Sequence, residues 1–357
     1  MRKAPLLAIL LAAQFAASVA SGAELRVGLA APLTGGSALL GAQMRRGAEA
    51  AVAASEAEVS LTLADTACTA EGGADAARRL VEADVGIVAG FLCMEAIVAA
   101  LPILGAAGIP VVTTGVRVDS LTDQRRKQGW TVFRFAPRAD EEAAAVSRIL
   151  TRQWRDALFA IIDDGTIYGR DLAEDFRLSA EMSQLKPVFT DTFRPQLENQ
   201  IGLAGRLRRS GATHVFVGGD RADVAILGRD AAVLDYDLVI AGGEALRAAR
   251  EEVDLVPGTL MIGLPEWADV ADPRTVARLR DAGLEPDGYM LPTFGGVQIA
   301  IAALNAATVS DTPVVDALAA GRFETVLGEV RFNDNGDWAG TAHRLFRYDG
   351  GAFQQVE

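Results

Sequence analysis

The segment "FAIIDDGTIYGRDLAEDFR", Phe159–Arg177, carries the pattern that decides the fold. It begins within a short, continuously apolar run, 157–162, of the kind that forms a strand buried on both faces of a parallel sheet. An Asp-Asp-Gly turn follows at 163–165. Leu172 and Phe176 then recur at helical spacing among charged residues, which is typical of a helix that packs on a sheet through one face. The segment therefore predicts a strand, a turn and a helix in succession.

Tyr168 lies between the end of this predicted strand and the body of the helix. In open α/β sheets this edge is where ligands bind, because helix amino termini and loop backbone groups converge there. Tyr168 either packs over the turn or contacts a ligand, and the segment alone leaves both interpretations open.

The same alternation of apolar runs and helical patterns continues along the chain. Runs that suit strands occur at 25–31, 59–64, 85–90, 109–113, 158–162, 188–193, 214–217, 238–240 and 259–264. Helical patterns occur near 42–54, 74–82, 96–106 and 290–307, the charged passage 117–130 reads as irregular, and hairpin-like runs end the chain. This order predicts an α/β fold of two similar lobes, each a parallel sheet flanked by helices. A cleft between two lobes is a usual place for a small ligand, and such proteins close around it at a hinge.

The amino terminus has the features of a secretory signal peptide. Arg2 and Lys3 form a basic start, 6–15 is apolar, and small residues lead to Ala23. We expect cleavage after Ala23, a mature chain that begins at Glu24, and a periplasmic location. As a membrane anchor the segment is short, and no other stretch is apolar for long enough to span a bilayer. The absence of a cysteine near the cleavage point argues against a lipoprotein.

Charge and length limit the class of partner. The formal charge of −13 becomes −15 when residues 1–23 are removed, because that segment carries two basic residues and no acidic ones. Such acidity argues against nucleic acid, which a basic stripe would bind, and against an anionic membrane surface. The remaining chain has room for about two domains. We expect a monomer whose partner is a small molecule.

The two cysteines, Cys68 and Cys93, predict one disulfide in an oxidising compartment. Two buried free thiols are the alternative. With only His214 and His343 besides, the spacing matches no zinc pattern, so we expect no metal and no cofactor.

The usual catalytic signatures are missing from the sequence. It has no G-x-S-x-G elbow, no H-E-x-x-H, no P-loop and no G-x-G-x-x-G after a strand. We therefore expect a binding protein and not an enzyme.

Seven segments in order resemble one family across essentially the whole mature chain. They are "RVGLAAPLTGGSALLGAQMRRGAEAAV", Cys68 with "VGIVAGFLC", "IPVVTTG", "IIDDGTIYGRDLAEDF", "THVFVGGDRADVAIL", "VIAGGEAL" and "GEVRFNDNGDW". The chain resembles the periplasmic solute-binding proteins of branched-chain amino-acid type ABC transporters, the leucine/isoleucine/valine-binding family. The resemblance implies a two-lobed type I periplasmic-binding-protein fold with three hinge strands, and a disulfide between Cys68 and Cys93.

The resemblance also implies discontinuous lobes. Residues 24–136 and 267–342 would form lobe 1, and residues 137–266 and 343–357 would form lobe 2. The chain would cross between them near 136–138, 264–266 and 343–345.

The function implied is capture of an amino acid, or a closely related small zwitterion, by hinge closure and delivery to an ABC permease of the inner membrane. Two alternatives stay open. The chain could sense a ligand for a receptor partner, or it could bind a small carboxylic acid or amide that lacks an amino group.

On lobe 1, the resemblance places the ligand carboxylate against two loops. In the family the first loop offers a hydroxyl, but here it reads Cys93-Met94-Glu95, so Met94 and Glu95 occupy that place. Glu95 either opposes a carboxylate or faces solvent. The second loop contributes Gly115 and, in place of a threonine, Arg117. An arginine can grip a carboxylate with two parallel hydrogen bonds, although Arg117 could instead point to solvent.

Two aromatic positions of the family are changed and one is kept. Leu40 stands where the family has an aromatic near the first loop, and Asp220 stands where it has a tyrosine. Tyr168 matches a tyrosine that reaches the ligand from lobe 2. Glu244 matches the glutamate that pairs with the ligand's α-ammonium. Such a pocket would suit a zwitterion with an extra donor better than plain leucine.

Overall fold

The computed structural model describes residues 24–356, and strands alternate with helices along most of this range. The strands are β1 Leu25–Ala31, β2 Val59–Asp65, β3 Ile87–Gly90, β4 Val111–Thr113, β5 Val132–Arg134, β6 Phe159–Asp163, β7 Phe189–Thr192, β8 His214–Gly218, β9 Val239–Gly242, β10 Leu260–Gly263, β11 Phe323–Thr325, β12 Gly328–Val330, β13 Arg344–Tyr348 and β14 Phe353–Gln355. The helices are α1 Ala38–Ala53, α2 Ala70–Glu82, α3 Met94–Ala106, α4 Ser120–Asp123, α5 Arg125–Gln128, α6 Glu141–Gln153, α7 Ile167–Met182, α8 Ile201–Ser210, α9 Arg221–Val233, α10 Trp267–Val270, α11 Pro273–Asp281, α12 Met290–Ser310 and α13 Val314–Ala320, and a 3₁₀ helix spans Glu244–Arg247. The predicted signal peptide, 1–23, lies outside the described residues.

Two sheets repeat one strand order. The first is β2-β1-β3-β4-β5, and the parallel part of the second is β7-β6-β8-β9-β10. Every pair within these ten strands is parallel. In each sheet the order reverses beside the first strand, which leaves a crevice at the carboxyl ends of the strands. The prediction of two α/β lobes of similar design is confirmed.

The carboxyl-terminal hairpin extends the second sheet. β13 pairs antiparallel with β10, and β14 pairs antiparallel with β13. A small separate sheet joins β11 and β12. The run "HRLFRYDGGAF" was predicted as a hairpin, and the β13–β14 pair confirms it. The other predicted run, "LGEVRFNDNGDW", turns back only at an isolated antiparallel bridge between Phe332 and Trp338, and its strand β12 pairs with β11, which lies before the run.

The segment that decided the fold folds as its pattern predicts. The apolar residues of β6 are buried between β7 and β8, and Leu172 and Phe176 of α7 pack beneath the sheet. Phe176 contacts three aromatic rings there, those of Trp154, Phe159 and Phe216. At the helix start, Thr166 Oγ1 accepts a hydrogen bond of 3.0 Å from the Gly169 N–H, which caps α7. Tyr168 is thereby fixed at the carboxyl edge of the second sheet.

Helix α12 forms the centre of the core beside the first sheet. Its residues Leu291, Phe294 and Val297 are buried together with β1 and α1. Contrary to the expectation from the sequence, this helix is long and apolar enough to cross a membrane by length and composition, but 78% of that window is buried inside the protein. It is therefore a core helix.

The chain passes between the two sheets three times. It leaves the first sheet after β5, returns after β10 to add α11 and α12, and enters the second sheet again at β13. The residue bounds given above for the two lobes stay a prediction.

The passage 117–130, expected to be irregular, contains two short helices, α4 and α5. Gly129 ends the second helix in the left-handed conformation, with φ 67°. The sequence did not predict these helices because each is a single turn without an apolar repeat, and only Leu121 and Thr122 are buried. Thr122 of α4 accepts a hydrogen bond from Arg134, which also donates to the Arg117 carbonyl oxygen.

The predicted disulfide is present, so the alternative of two free thiols is wrong. Cys68 and Cys93 are bonded with a Cα–Cα distance of 5.3 Å. The bond joins the loop after β2 to the residue that precedes α3. It therefore ties together two loops at the carboxyl edge of the first sheet.

Removal of this disulfide in the double variant Cys68→Ala/Cys93→Ala should lower the free energy of unfolding by about 3 kcal/mol, because the bond closes a loop of about 25 residues in the unfolded chain. Urea unfolding of the mature protein measures the change. Reduction of the parent should give a similar loss. A loss below about 1 kcal/mol in both would show that the bond adds little to stability, against the loop-entropy estimate.

Candidate functional site

A cavity of about 280 Å³ lies where the loops after β4 and β9 approach each other. The segments after β5 and β10 and the start of α12 complete it, so both sheets contribute to its wall. Its lining residues are Thr114, Gly115, Arg117, Phe135, Ala136, Pro137, Glu244, Arg247, Leu264, Pro265, Glu266, Trp267, Gly288, Tyr289, Pro292, Leu327 and Trp338. Clefts between lobes are common sites for small ligands.

Arg117 and Glu244 form an ion pair across this cavity. Arg117 Nη1 donates to Glu244 Oε1 at 3.1 Å, and the two side chains are 29% and 30% exposed. The loop after β4 of the first sheet is thus joined to the 3₁₀ helix after β9 of the second. Arg117 Nε and Glu244 Oε2 are buried and have no hydrogen-bond partner within residues 24–356. Glu244 Oε2 lies 3.4 Å from the His343 ring, whereas Oε1 is the oxygen that pairs with Arg117.

Glu244 is held in the ionised form. Burial alone would raise its pKa, but His343 and Arg117 outweigh burial and lower the pKa to about 2. The Glu244 backbone N–H also donates to Oε1 of Glu142 at 2.7 Å. The cavity therefore presents a fixed negative charge beside a fixed positive one.

Tyr168 approaches the same corner through Glu142. Its hydroxyl donates to Glu142 Oε1 at 2.7 Å and accepts from the Ala245 N–H at 3.4 Å. Glu142 is buried, and burial raises its pKa above the usual range. A Cβ atom on Gly243 would clash with both Glu142 Oε1 and Tyr168 Oη, so a larger residue there would displace these side chains. The Tyr168 hydroxyl is thus hydrogen-bonded to the backbone beside Glu244, while the residue as a whole stays partly exposed.

Arg134 supports the Arg117 loop from inside the first lobe. Its side chain is fully buried and pairs with Asp337 at 2.7 Å. Its Nη1 donates to the carbonyl oxygens of Arg117 at 2.9 Å and Val118 at 2.7 Å, and its Nη2 donates to Thr122 Oγ1. A single buried guanidinium therefore fixes the backbone from which Arg117 projects.

The rest of the cavity wall is largely apolar and aromatic. The rings of Phe135, Trp267, Tyr289 and Trp338 line it, and Phe135 meets Trp338 edge-on with centroids 5.4 Å apart. A second ion pair, Arg247–Glu266 at 2.8 Å, lies at its more exposed part. The cavity therefore has a charged part, at Arg117 and Glu244, and an apolar part, and a ligand with one charged end and one apolar end would match it.

Three of the eight predicted binding residues, Gly115, Arg117 and Glu244, line this cavity. The sequence left open whether Arg117 points to solvent. In the structure its side chain lies in the cavity wall.

The other five predicted residues do not line the cavity. Glu95 is exposed in the first turn of α3, beside the half-buried Met94. Asp220 caps α9 by accepting from the Asp223 N–H at 3.0 Å. Leu40 is half-buried on α1, and Tyr168 is 37% exposed. Ligand contact by all eight stays a prediction.

The sequence did not predict that Glu142, His343 and the aromatic wall belong to this site. Glu142 is 102 residues from Glu244 along the chain, so no local pattern could join them. Arg134 did leave a signal, since an arginine within the apolar run "VFRF" needs a buried partner.

Within residues 24–356, no group of three or more histidine, cysteine, aspartate or glutamate side chains is arranged to hold a metal ion.

Comparison with known proteins gives concordant matches. A family model described as "Periplasmic binding protein" matches residues 24–352. "Leu/Ile/Val-binding protein homolog 2" of Brucella abortus (strain 2308) is 27% identical over 362 residues, which cover 98% of this chain and 96% of the relative.

Two solved structures show the same fold at lower identity. An ABC transporter substrate-binding protein from Desulfitobacterium hafniense in complex with Leu is 22% identical with a TM-score of 0.66, and the match covers 93% of this chain and 100% of that one. A solute-binding protein from R. palustris in complex with benzoate is 17% identical with a TM-score of 0.58, and the match covers 93% of this chain and 95% of that one. The fold is therefore shared among proteins whose bound ligands differ.

Proposed function

The chain belongs to the periplasmic binding protein family, and from this premise we propose that it captures a small zwitterion, an amino acid or a close relative of one, and delivers it to an ABC permease of the inner membrane. The observation that carries the proposal is the Arg117–Glu244 pair in the cavity wall. It brings one positive and one negative group to a single site.

A zwitterion can replace this internal pair without leaving either charge unpaired. Its carboxylate takes the guanidinium of Arg117, and its ammonium takes the carboxylate of Glu244. Removing one partner of a desolvated pair is costly, whereas exchanging partners keeps both charges compensated. Two planar donors of a guanidinium also match a carboxylate well. The two charged residues thus fit the two charged ends of an α-amino acid.

The apolar wall supports an apolar or aromatic side chain on the ligand. Trp267, Tyr289 and Trp338 are among the aromatic residues that line it. The relative from Brucella abortus is named for leucine, isoleucine and valine. We propose that the side chain of the amino acid packs against these rings.

A benzoate-like carboxylic acid is the second candidate, and the aromatic lining favours it. The related fold from R. palustris was solved with benzoate. Against this candidate, a ligand without an amino group that engaged Arg117 would leave the ionised Glu244 without its guanidinium partner. The charge pattern therefore favours the zwitterion.

The family works outside the cytoplasm, and we propose that this chain reaches the periplasm by cleavage after Ala23. We further propose that it acts as a monomer, binds without catalysis, and closes as two lobes with the bounds given above. A receptor that reads the closed state is the alternative to a permease. Copurification from membranes of the native host would separate the two partners.

A thermal-shift panel of amino acids, amides and small carboxylic acids on the mature protein tests the proposal. A ligand present at about 100 times its dissociation constant adds about 2.7 kcal/mol to stability. For a chain of this size that corresponds to a rise in Tm of a few degrees or less. Stabilisation by amino acids supports the proposal, and stabilisation by acids or amides alone contradicts it.

A further inference from the structure

His343 lies where the chain enters β13, between two carboxylates from different elements. Its side chain is fully buried. Nδ1 lies 3.6 Å from Glu141 Oε1 on α6, and Nε2 lies 3.4 Å from Glu244 Oε2 on the 3₁₀ helix. The ring therefore stands directly behind the carboxylate that lines the cavity.

The surroundings of this ring select its charged form. A neutral imidazole has one donor and one acceptor nitrogen, so one of its nitrogens would face a carboxylate oxygen with a lone pair. Only the imidazolium presents a donor to both sides. Both ring nitrogens and Glu244 Oε2 are buried without a short hydrogen bond in the described part of the chain, so the distances are those of ion pairs. Burial alone would lower the pKa of His343, but the two carboxylates outweigh burial and raise it.

The other charged groups nearby are already engaged. Glu141 Oε1 accepts from the Ala342 N–H at 2.7 Å. Glu142 is bonded by Tyr168 and by the Glu244 N–H. Arg344 donates to the carbonyl oxygens of Thr341 and His343. Arg117 holds the other oxygen of Glu244. His343 is therefore the cation on the inner side of Glu244, and Arg117 is the cation on its cavity side.

We infer that His343 is a positioning residue for the ligand, because as an imidazolium it holds the inner oxygen of Glu244 and aims the outer oxygen into the cavity. The inference rests on the proposed function, in which that outer oxygen receives an ammonium group. When the ligand takes Arg117 away, His343 remains as the fixed partner that keeps Glu244 ionised.

The ion pairs of His343 depend on pH. The folded-state pKa of His343 is raised, so the stabilisation from its ion pairs is complete below about pH 6.5 and is lost as the pH rises through the higher folded value. For Glu244 the direction is opposite: its pKa is lowered, and loss of the imidazolium would raise it. Without His343, Glu244 should therefore lose its charge at a higher pH than in the parent.

Two NMR titrations of the ligand-free mature protein test this. The chain has only two histidines, so His214→Gln assigns the His343 ring signal and serves as the control variant. We expect the His343 ring to be charged at neutral pH, and we expect His343→Gln to move the titration of the Glu244 carboxyl group to higher pH. A neutral ring at pH 6, below the ordinary histidine pKa of about 6.5, or an unchanged Glu244 titration, would overturn the inference.

Calorimetry with L-leucine as the probe adds the functional readout. We expect His343→Gln to weaken leucine binding by about tenfold at neutral pH, the effect of one hydrogen bond to a charged group, and by more at acid pH. His214→Gln should bind as the parent does. Equal affinities of parent and His343→Gln at every pH would overturn the positioning role. If the parent binds no amino acid of the panel, the proposed function fails, and the two ligand-free titrations still decide whether His343 charges Glu244. If His343→Gln does not fold, the ring titration of the parent decides.

Discussion

Replacement of the buried Arg134 by methionine should lower the free energy of unfolding by about 3 to 5 kcal/mol, the usual effect of removing one partner of a buried ion pair. The variant would leave Asp337 buried with a weaker partner, the partly exposed Arg138 at 3.2 Å. It would also remove the donors to the carbonyl oxygens of Arg117 and Val118. Because Arg138 remains, we expect a value nearer the lower limit.

Urea unfolding followed by circular dichroism measures this effect. The control is Arg206→Met, which breaks a partly exposed ion pair with Asp191 and should cost about 1 kcal/mol or less. Addition of Asp337→Asn to Arg134→Met should recover part of the loss, because it removes the buried charge that lost its partner. A loss in Arg134→Met no larger than in the control would show that the buried network does not hold the Arg117 loop.

Replacement of Glu244 by glutamine should weaken binding of the best amino acid from the panel by about 30-fold or more. The change keeps the shape of the side chain and removes its charge, which costs about 2 to 5 kcal/mol where the pair is desolvated in a closed cleft. It also leaves Arg117 without its carboxylate in the ligand-free protein. The lost charge and the unpaired Arg117 both matter because the two side chains are half-buried.

Glu266→Gln is the matched control for Glu244→Gln. It lies in the wall of the same cavity, but its pair with Arg247 is more exposed, so its loss should change affinity by about 1 kcal/mol or less. Calorimetry of both variants gives the comparison. If Glu244→Gln binds within about threefold of the parent, the loss is that of a surface pair and the ammonium-binding role is wrong.

The strands and the site loops could be predicted from the sequence because their signals are local. The apolar run of β6, the turn after it and the spacing of Leu172 and Phe176 all lie within one segment. Family resemblance added Gly115, Arg117 and Glu244, which the structure brings to one cavity. The disulfide between Cys68 and Cys93 could be predicted from the oxidising compartment and the presence of two cysteines.

The groups that set the charge of the site could not be predicted in this way. Glu142 and His343 meet Glu244 from segments about 100 residues away on either side, and Glu141 meets His343 from behind. Each looks like an ordinary polar residue in its own segment. The single-turn helices α4 and α5 were missed because neither has an apolar repeat, and α4 is bonded through Thr122 to the buried Arg134. Side-chain networks of this kind arise only when separate parts of the chain pack together.

The central claim is that Arg117 and Glu244 exchange their mutual ion pair for the two charges of a zwitterion. The most direct test is calorimetric titration of the mature protein with a matched pair of compounds: the amino acid that stabilises it most, and the same acid without its amino group. If Glu244 pairs with the ammonium, the amino acid should bind at least about 30-fold more tightly. Binding of the acid without an amino group within about threefold of the amino acid, or more tightly, would contradict the claim.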